Sequence, residues 1–374
     1  MRILQVARQF YPKVGGIETC VLNVSRGLVK RGHRVEVVTL NRDLRTRKLL
    51  TGPAEIDSIP IYRIPYIGSQ RYPIAPAWFR FIERFDVIHV HAIDFFVDSA
   101  AATRFLGLHH KPIVVTTHGG IFHTQAWRRV KDFYWRYVLS RTLEQADKVI
   151  AVSAGDEALF KPIVAADKLL TIPNGVDAAF ADARASRVRG RLLTVGRVTA
   201  SKRIQELIRF MSRLTDEFPE LELVIAGPDE SGTSDSLRRM SEDLGVGLKV
   251  RFVGELPLPE LANLVASAHV FLSAAAHEGF GITTVEALSA GIPVFVTRTG
   301  VHEEVVNPGD NGWFWSGRAD DDAVALLRQA LLLPDARLDQ MQLSARASAA
   351  PFDWNVTTEK YERVFESLHR TNPG

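Results

Sequence analysis

Short apolar runs rich in β-branched residues alternate with amphipathic stretches along the whole chain, and this rhythm limits the fold more than any other feature. "RILQVA", "RVEVVTL", "DVIHVHA", "PIVVTTH" and "KVIAVS" read as strands in the first half. Helical patterns fall between most of them, such as Ile17 to Lys30 and Trp127 to Glu144. The second half repeats the rhythm with "RLLTVG", "LELVIAG", "KVRFVG", "VFLSAA" and "IPVFVT". Strands this apolar are covered on both faces, which predicts parallel sheets flanked by helices. A chain of 374 residues is too long for one ordinary core. The expectation is two α/β domains of similar size, residues 1–173 and 174–352. The join lies in "IPNGVDAAFADARASRVRG", where Pro173-Asn174-Gly175 signals a turn. The helical tail, residues 353–374, is expected to cross back onto the first domain.

Composition removes several classes of function. Cys20 stands alone, so no disulfide forms within the chain. "MRILQVARQFYP" reads as a strand and turn, not a signal peptide, and no apolar run is long enough to span a bilayer. A cytosolic protein is expected. There is no GxGxxG fingerprint and no GxxxxGK[ST] loop. The net charge of +3 hides an asymmetry: residues 1–177 hold 25 Lys/Arg against 16 Asp/Glu, and the rest 21 against 27. The first half therefore carries +9 and suits something anionic, such as phospholipid headgroups or a pyrophosphate.

The densest cluster of chemistry is "HEGFGITTVEALSAGIPV", His277 to Val294. A strand precedes it and "ITTVEALSA" reads as a helix, so the loop sits at a carboxyl strand end, where open parallel sheets place ligands. Gly279 and Gly281, either side of Phe280, let the backbone approach a ligand closely. The free N–H groups of the helix start at Ile282 and Thr283 suit a phosphate. A carboxylate at Glu278 fits hydroxyls better than phosphate, and Glu286 is placed for a second set of hydroxyls. Hydroxyl, phosphate, hydroxyl is the layout of a nucleotide sugar. Arg197 and Lys202, in "TVGRVTASKRIQELI", would neutralise its diphosphate without a metal. Gly15-Gly16, between strand and helix, are either a tight turn or a second place where backbone N–H groups meet phosphate.

These stretches resemble the retaining GT-B glycosyltransferases of family 4. The resemblance rests on the glutamate pair with seven residues between, Glu278 and Glu286, on "IPNGVD", on "GRVTASK" and on the first glycine loop, and it covers nearly the whole chain. It implies two Rossmann-like domains with parallel sheets facing across a cleft. It also implies contacts of Arg197 and Lys202 with the donor diphosphate, of Glu278 with the transferred sugar, of Glu286 with the ribose, and of His118 with the sugar near the reacting carbon. "RYPIAP", "HAIDFF" and "THGGIFHT" look like the bacterial mannosyltransferases of xanthan- and acetan-type exopolysaccharide synthesis. Those use GDP-mannose and a cellobiosyl-diphosphopolyprenol acceptor. By that likeness Tyr72, Asp94, His123 and Ser153 become acceptor-side candidates; for Ser153 a helix N-cap is an equal reading.

The resemblance implies no metal. Among 11 histidines, His89 and His91 share one side of a strand, but no spacing completes a metal site. "ADDDA", Ala319 to Ala323, precedes a helix and reads as a cap. "AWRRVKDFYWRYVLSR", Ala126 to Arg141, carries five cations and five aromatics. It fits a membrane interface or a core helix with snorkelling cations better than nucleic acid, since no nucleic-acid module matches. The expected setting is cytoplasmic, on the inner face of the cell membrane, with an anionic surface as partner. No residue reads as a covalent nucleophile, so retention is expected to proceed on one face of the sugar.

Overall fold

The computed structural model describes residues 1–70, 72–119, 128–229 and 232–371, with backbone only for 128–130. The chain forms two compact units. One comprises Met1–Gly175 together with the tail from Trp354; the other is Val176–Asp353.

The first unit is built on strands β1 (Arg2–Val6), β2 (Arg34–Leu40), β3 (Glu55–Ile56), β4 (Ile59–Ile64), β7 (Val87–His91), β8 (Ile113–Thr116), β9 (Lys148–Ala151) and β10 (Leu169–Thr171). Between β4 and β7 a separate two-stranded ribbon pairs β5 (Ile67–Gly68) with β6 (Pro73–Ile74). The main sheet runs β10-β9-β8-β7-β1-β2-β4-β3, parallel except where β3 meets β4. Strand order therefore reverses between β1 and β7. One face is covered by the helices Gly16–Lys30 and Trp354–Thr371. Cys20, Val24 and Leu28 recur every fourth residue on the first, and Tyr361, Phe365 and Leu368 line the second, so each presents one apolar stripe. The other face packs Trp78, Phe81, Phe96, Leu139, Leu143 and Phe160.

The second unit holds β11 (Arg191–Val195), β12 (Glu222–Ala226), β13 (Val250–Gly254), β14 (Val270–Ser273), β15 (Val294–Thr297) and β16 (Gly312–Trp315). They are all parallel in the order β13-β12-β11-β14-β15-β16. This is the doubly wound order of dinucleotide-binding sheets, and it reverses between β11 and β14. Helix Ile204–Leu214 buries Ile204, Leu207, Ile208 and Met211 on one stripe. Trp315 closes the sheet's far edge: its ring lies 4.9 Å from Phe210, and its indole N–H donates to the Ser273 carbonyl at 3.1 Å. At about 25 cal/mol per Å² of apolar surface, such side chains each contribute a few kcal/mol of burial.

Candidate active site

Ligands bind open parallel sheets at the carboxyl ends of the strands flanking the reversal. In the second unit those strands are β11 and β14, and the loops leaving them are tied together by Ala276 N–H donating to the Ser201 carbonyl at 2.9 Å. The sequence-predicted Lys202 and Glu278 meet here: the ammonium is ion-paired with Glu278 Oε1, and both side chains are partly exposed. The lysine passes over Gly196, whose φ is +142°; a Cβ there would stand 3.2 Å from Lys202 Cε. Arg197 is exposed and makes no ion pair among the described residues. The next residue after Lys202, Arg203, has φ +49° and turns the chain into its helix.

The glycine loop is held from below by the segment after β15. Glu278 N–H donates to Thr299 Oγ1 at 3.1 Å, and Val301 N–H to the Phe280 carbonyl at 2.8 Å. Gly281 has φ +93°, and a Cβ on it would lie 2.9 Å from His302 Nε2. His302 is itself fixed: its Nδ1–H donates to the Thr297 carbonyl at 2.7 Å, which leaves Nε2 to accept from the Thr284 hydroxyl at 2.8 Å. The helix Ile282–Ser289 starts on Gly281, so the N–H groups of Ile282 and Thr283 are among the donors that a helix start leaves without intrahelical partners. Thr299, Gly300 and His302 were not singled out in the sequence. Only their position after a strand, two to five residues beyond Thr297, marks them.

Glu286 lies on that same helix and is half-buried. Burial pushes its carboxyl up to about 8, and the negative charge of Asp177 adds to the effect. Asp177, the last residue of "IPNGVD", caps helix Ala178–Asp182 by accepting from Ala179 N–H at 2.9 Å. The two predicted glutamates thus differ in kind. Glu278 is a carboxylate in an ion pair, whereas Glu286 is largely a neutral acid at pH 7.

In the first unit the predicted residues separate into four groups. His118 sits two residues past β8 with φ +52°, a left-handed conformation that costs a non-glycine residue about 1 kcal/mol. Its Nε2 lies 3.0 Å from His91 Nδ1, and His91 Nε2 lies 2.7 Å from Gln5 Oε1. The neighbouring Thr117 hydroxyl donates to Asp156, and Asp156 N–H donates to Ser153 Oγ, which caps helix Ala154–Phe160. Ser153 therefore fills the N-cap role and braces the segment before His118. Burial pushes His118 and His89 down to about 3, and His91 well below its ordinary value, so all three rings are neutral.

Asp94 follows β7, caps helix Phe95–Phe105 through Phe96 N–H at 2.8 Å, and lies 3.6 Å from Arg8 Nε. Burial pushes its carboxyl up to about 7, against the pull of Arg8. Tyr72 instead joins Asp98, which accepts from the Tyr72 hydroxyl at 2.7 Å, the Tyr134 hydroxyl at 2.8 Å and Thr142 Oγ1 at 2.9 Å. Asp98 was missed because a lone acid in an apolar helix looks like surface. Gly15 caps helix Gly16–Lys30 in extended backbone, and a Cβ on it would stand 2.6 Å from the Glu18 carboxylate, whereas Gly16 faces open space. His123 and Arg71 lie outside the described residues, as does the start of the basic aromatic stretch.

One cluster was hidden from sequence spacing. Cys20 Sγ and ring nitrogens of His91 and His118 all lie within 4.8 Å of one another. Burial pushes the Cys20 thiol up to about 12, and both His91 nitrogens are already hydrogen-bonded. A metal would have to displace those bonds and ionise the thiol. "ADDDA" is a helix cap, with Asp320 accepting from Ala323 N–H at 2.9 Å.

Residues 14–180 match the model of Glycosyltransferase Family 4, and residues 181–347 that of Glycosyl transferases group 1. The chain is 35% identical to a GDP-mannose:cellobiosyl-diphosphopolyprenol alpha-mannosyltransferase of Komagataeibacter xylinus, over 98% of this chain and 93% of that one. It is 34% identical to the protein of the same description from Xanthomonas campestris, over 96% and 95%. The solved structure of sucrose-phosphate synthase from Thermosynechococcus elongatus superposes with a TM-score of 0.78 at 19% identity, covering 99% of this chain and 100% of that one.

Proposed function

The chain belongs to the family 4 glycosyltransferases and has their GT-B fold, and from that premise we propose that it moves mannose from GDP-mannose to a polyprenyl-diphosphate-linked oligosaccharide of the cellobiosyl type. The observation that carries the substrate choice is the 35% identity across nearly the whole chain to a relative described by that reaction. The meeting of Lys202 and Glu278 at the strand-order reversal of the second unit supports transfer from a diphosphate donor.

As the glycosidic bond breaks, negative charge grows on the leaving diphosphate. Lys202, Arg197 and the N–H donors of Ile282 and Thr283 stabilise it. Gly279, Phe280 and Gly281 form the backbone rim of that pocket. Glu278 orients the sugar and Glu286 meets the ribose. His118 meets the sugar near the reacting carbon, and Gly15-Gly16 lie beside the donor. The donor phosphate takes the acceptor's proton, so the anomeric configuration is kept. No metal is required, because two cations and a helix start do the neutralising. Tyr72, Asp94 and Ser153 lie on the acceptor-side unit.

A lipid-linked acceptor places the enzyme at the inner face of the cell membrane. No described helix is long and apolar enough to cross it. Phe133 and Tyr137, 61% and 49% exposed, stand with exposed Arg136 and Arg141 on the described part of the basic aromatic stretch, a composition suited to an anionic headgroup layer. Pelleting with anionic but not neutral liposomes at low salt is expected; equal pelleting with both would remove the electrostatic contact. The test of the reaction is release of GDP from GDP-mannose in excess EDTA, with and without the lipid acceptor. GDP release only with acceptor is expected. Activity with UDP-glucose in place of GDP-mannose would overturn the donor, and a strict need for added magnesium or manganese the metal-free reading.

A further inference from the structure

Gln5, His91 and His118 form a chain of directed hydrogen bonds whose first member is not a titratable group. Gln5 and His89 are register partners on β1 and β7, and His91 and Thr116 are partners on β7 and β8. Side chains alternate along strands, so Gln5, His89, His91 and Thr116 share one face. It is the face covered by the helices Gly16–Lys30 and Trp354–Thr371. His118, two residues past Thr116, continues the row.

An amide oxygen only accepts. His91 must therefore donate Nε2–H to Gln5 Oε1 across 2.7 Å. A neutral His91 then has its lone pair on Nδ1, and the 3.0 Å contact is His118 Nε2–H donating to it. That leaves His118 Nδ1 with the lone pair, and no described residue hydrogen-bonds to it. The two rings meet edge to edge, with centroids 5.3 Å apart and planes 23° apart, as a bond between an in-plane N–H and an in-plane lone pair requires. Gln5, His89, His91 and Thr116 are fully buried, so no bulk water competes for these bonds. The backbone is strained at both turning points: Ala92, after His91, has φ +72°, and His118 itself +52°.

We propose that Gln5 and His91 are positioning residues that hold His118 as its Nε2–H tautomer, so that Nδ1 accepts a hydrogen bond from a hydroxyl of the transferred sugar. The proposal rests on the reading that His118 meets that sugar. The titratable groups facing the chain are Cys20 on helix Gly16–Lys30, His89 on β7, whose ring is 4.1 Å from that of His91, and Tyr361 on the tail helix, 5.2 Å from His89. None of them is hydrogen-bonded to Gln5, His91 or His118, so the Gln5 amide sets the direction of the bonds.

The first measurement needs no variant. Nitrogen-15 shifts of the histidine rings in the full-length protein should show His118 protonated on Nε2. Protonation on Nδ1 would mean the Gln5 amide is turned the other way, and would overturn the proposal. Two variants read the consequence. Gln5→Leu removes the acceptor, should mix the His118 tautomers, and should lower kcat at least about 10-fold with donor KM within a few-fold. Gln5→Glu keeps an acceptor but attracts a proton onto His91, which turns Nδ1 from acceptor into donor. It should be active at pH 9 and lose turnover towards pH 6 through an ionisation that wild type lacks. A purely structural role would not create that ionisation. Unchanged kcat in Gln5→Leu, with His118→Ala inactive, would overturn the relay. A fully active His118→Ala would instead overturn the underlying contact with sugar, whatever the tautomer.

Discussion

The two units reverse strand order at equivalent places, yet they line the reversal with opposite chemistry. In the second unit, Lys202 and Glu278 form an ion pair that keeps contact with solvent, and a helix start adds its N–H groups. In the first, the residues are more deeply buried and carry less charge: His91 and His118 are neutral, and Asp94, pushed up to about 7 beside Arg8, is only partly ionised at neutral pH. Charge is useful where the ligand is charged, and it survives only where water or a counterion supports it. Neutral groups cannot neutralise a diphosphate, but they give fixed directions to hydrogen bonds. The proposed function uses this contrast: the leaving diphosphate is neutralised from the second unit, and the neutral His118 of the first meets a sugar hydroxyl.

The strongest way to break this contrast is to remove the charge. Lys202→Ala should lower turnover at saturating donor at least 100-fold, about the loss of one charged contact to the transition state. Glu278 would also lose its partner. Turnover within a few-fold of wild type would take the ammonium out of the mechanism and leave the two reversals chemically alike.

How much of this could be read in the sequence depends on whether the deciding contacts were local. The strand-loop-helix around Glu278 was legible because its glycines, helix start and acids are neighbours in the chain. Its support from Thr299 and His302 was not, since it comes from the next strand. Most of the longer apolar strands were legible, but β4 was not, its "IPIYRI" being broken by Pro60, and neither were β3, β5, β6 and β10, whose two or three residues carry no periodicity. β16 was hidden in "GWFW", which packs by aromatic contact rather than by β-branched pattern. His89 and His91 were correctly read as sharing a side, but their partners Gln5, Thr116 and Cys20 come from three other elements. The helix cap at Ser153 was one of its two sequence readings; that Asp94 also acts as a cap needed coordinates.

The contrast can be sharpened within the second unit itself. Glu278 is paired with a cation, while burial and Asp177 keep Glu286 protonated near neutrality. Glu286→Ala should weaken GDP binding about 10-fold, as loss of a hydrogen-bonding pair to the ribose would. Glu278→Ala should leave GDP affinity within about 2-fold, since the bare nucleotide lacks the sugar, and should abolish transfer. Calorimetric titration of both variants with GDP decides it. Equal losses would mean that the two acids serve one end of the ligand.

The smallest effect concerns stability. His89, His91 and His118 are neutral when folded because burial disfavours their charged forms. In the unfolded chain each takes a proton near pH 6.5. Between about pH 3 and 6.5 the unfolded state therefore binds more protons, so stability rises with pH and is lost as pH falls below 6.5. Glu286 works in the opposite sense: its raised value makes the folded state hold the extra proton between 4.5 and about 8, and stability falls as pH rises through that window. Thermal unfolding from pH 7 down to 4.5 should thus show the histidine loss in the first unit, offset in the second. One histidine contributes at most about 1.4 kcal/mol per pH unit, or a few degrees. His89 is the member to remove, because it lies outside the Gln5–His91–His118 chain and its ring bonds only the Thr116 hydroxyl, at 2.7 Å. His89→Gln should flatten the acid side of the curve without altering the alkaline side. Parallel curves for variant and wild type would show that burial of His89 is not what makes this unit acid-sensitive.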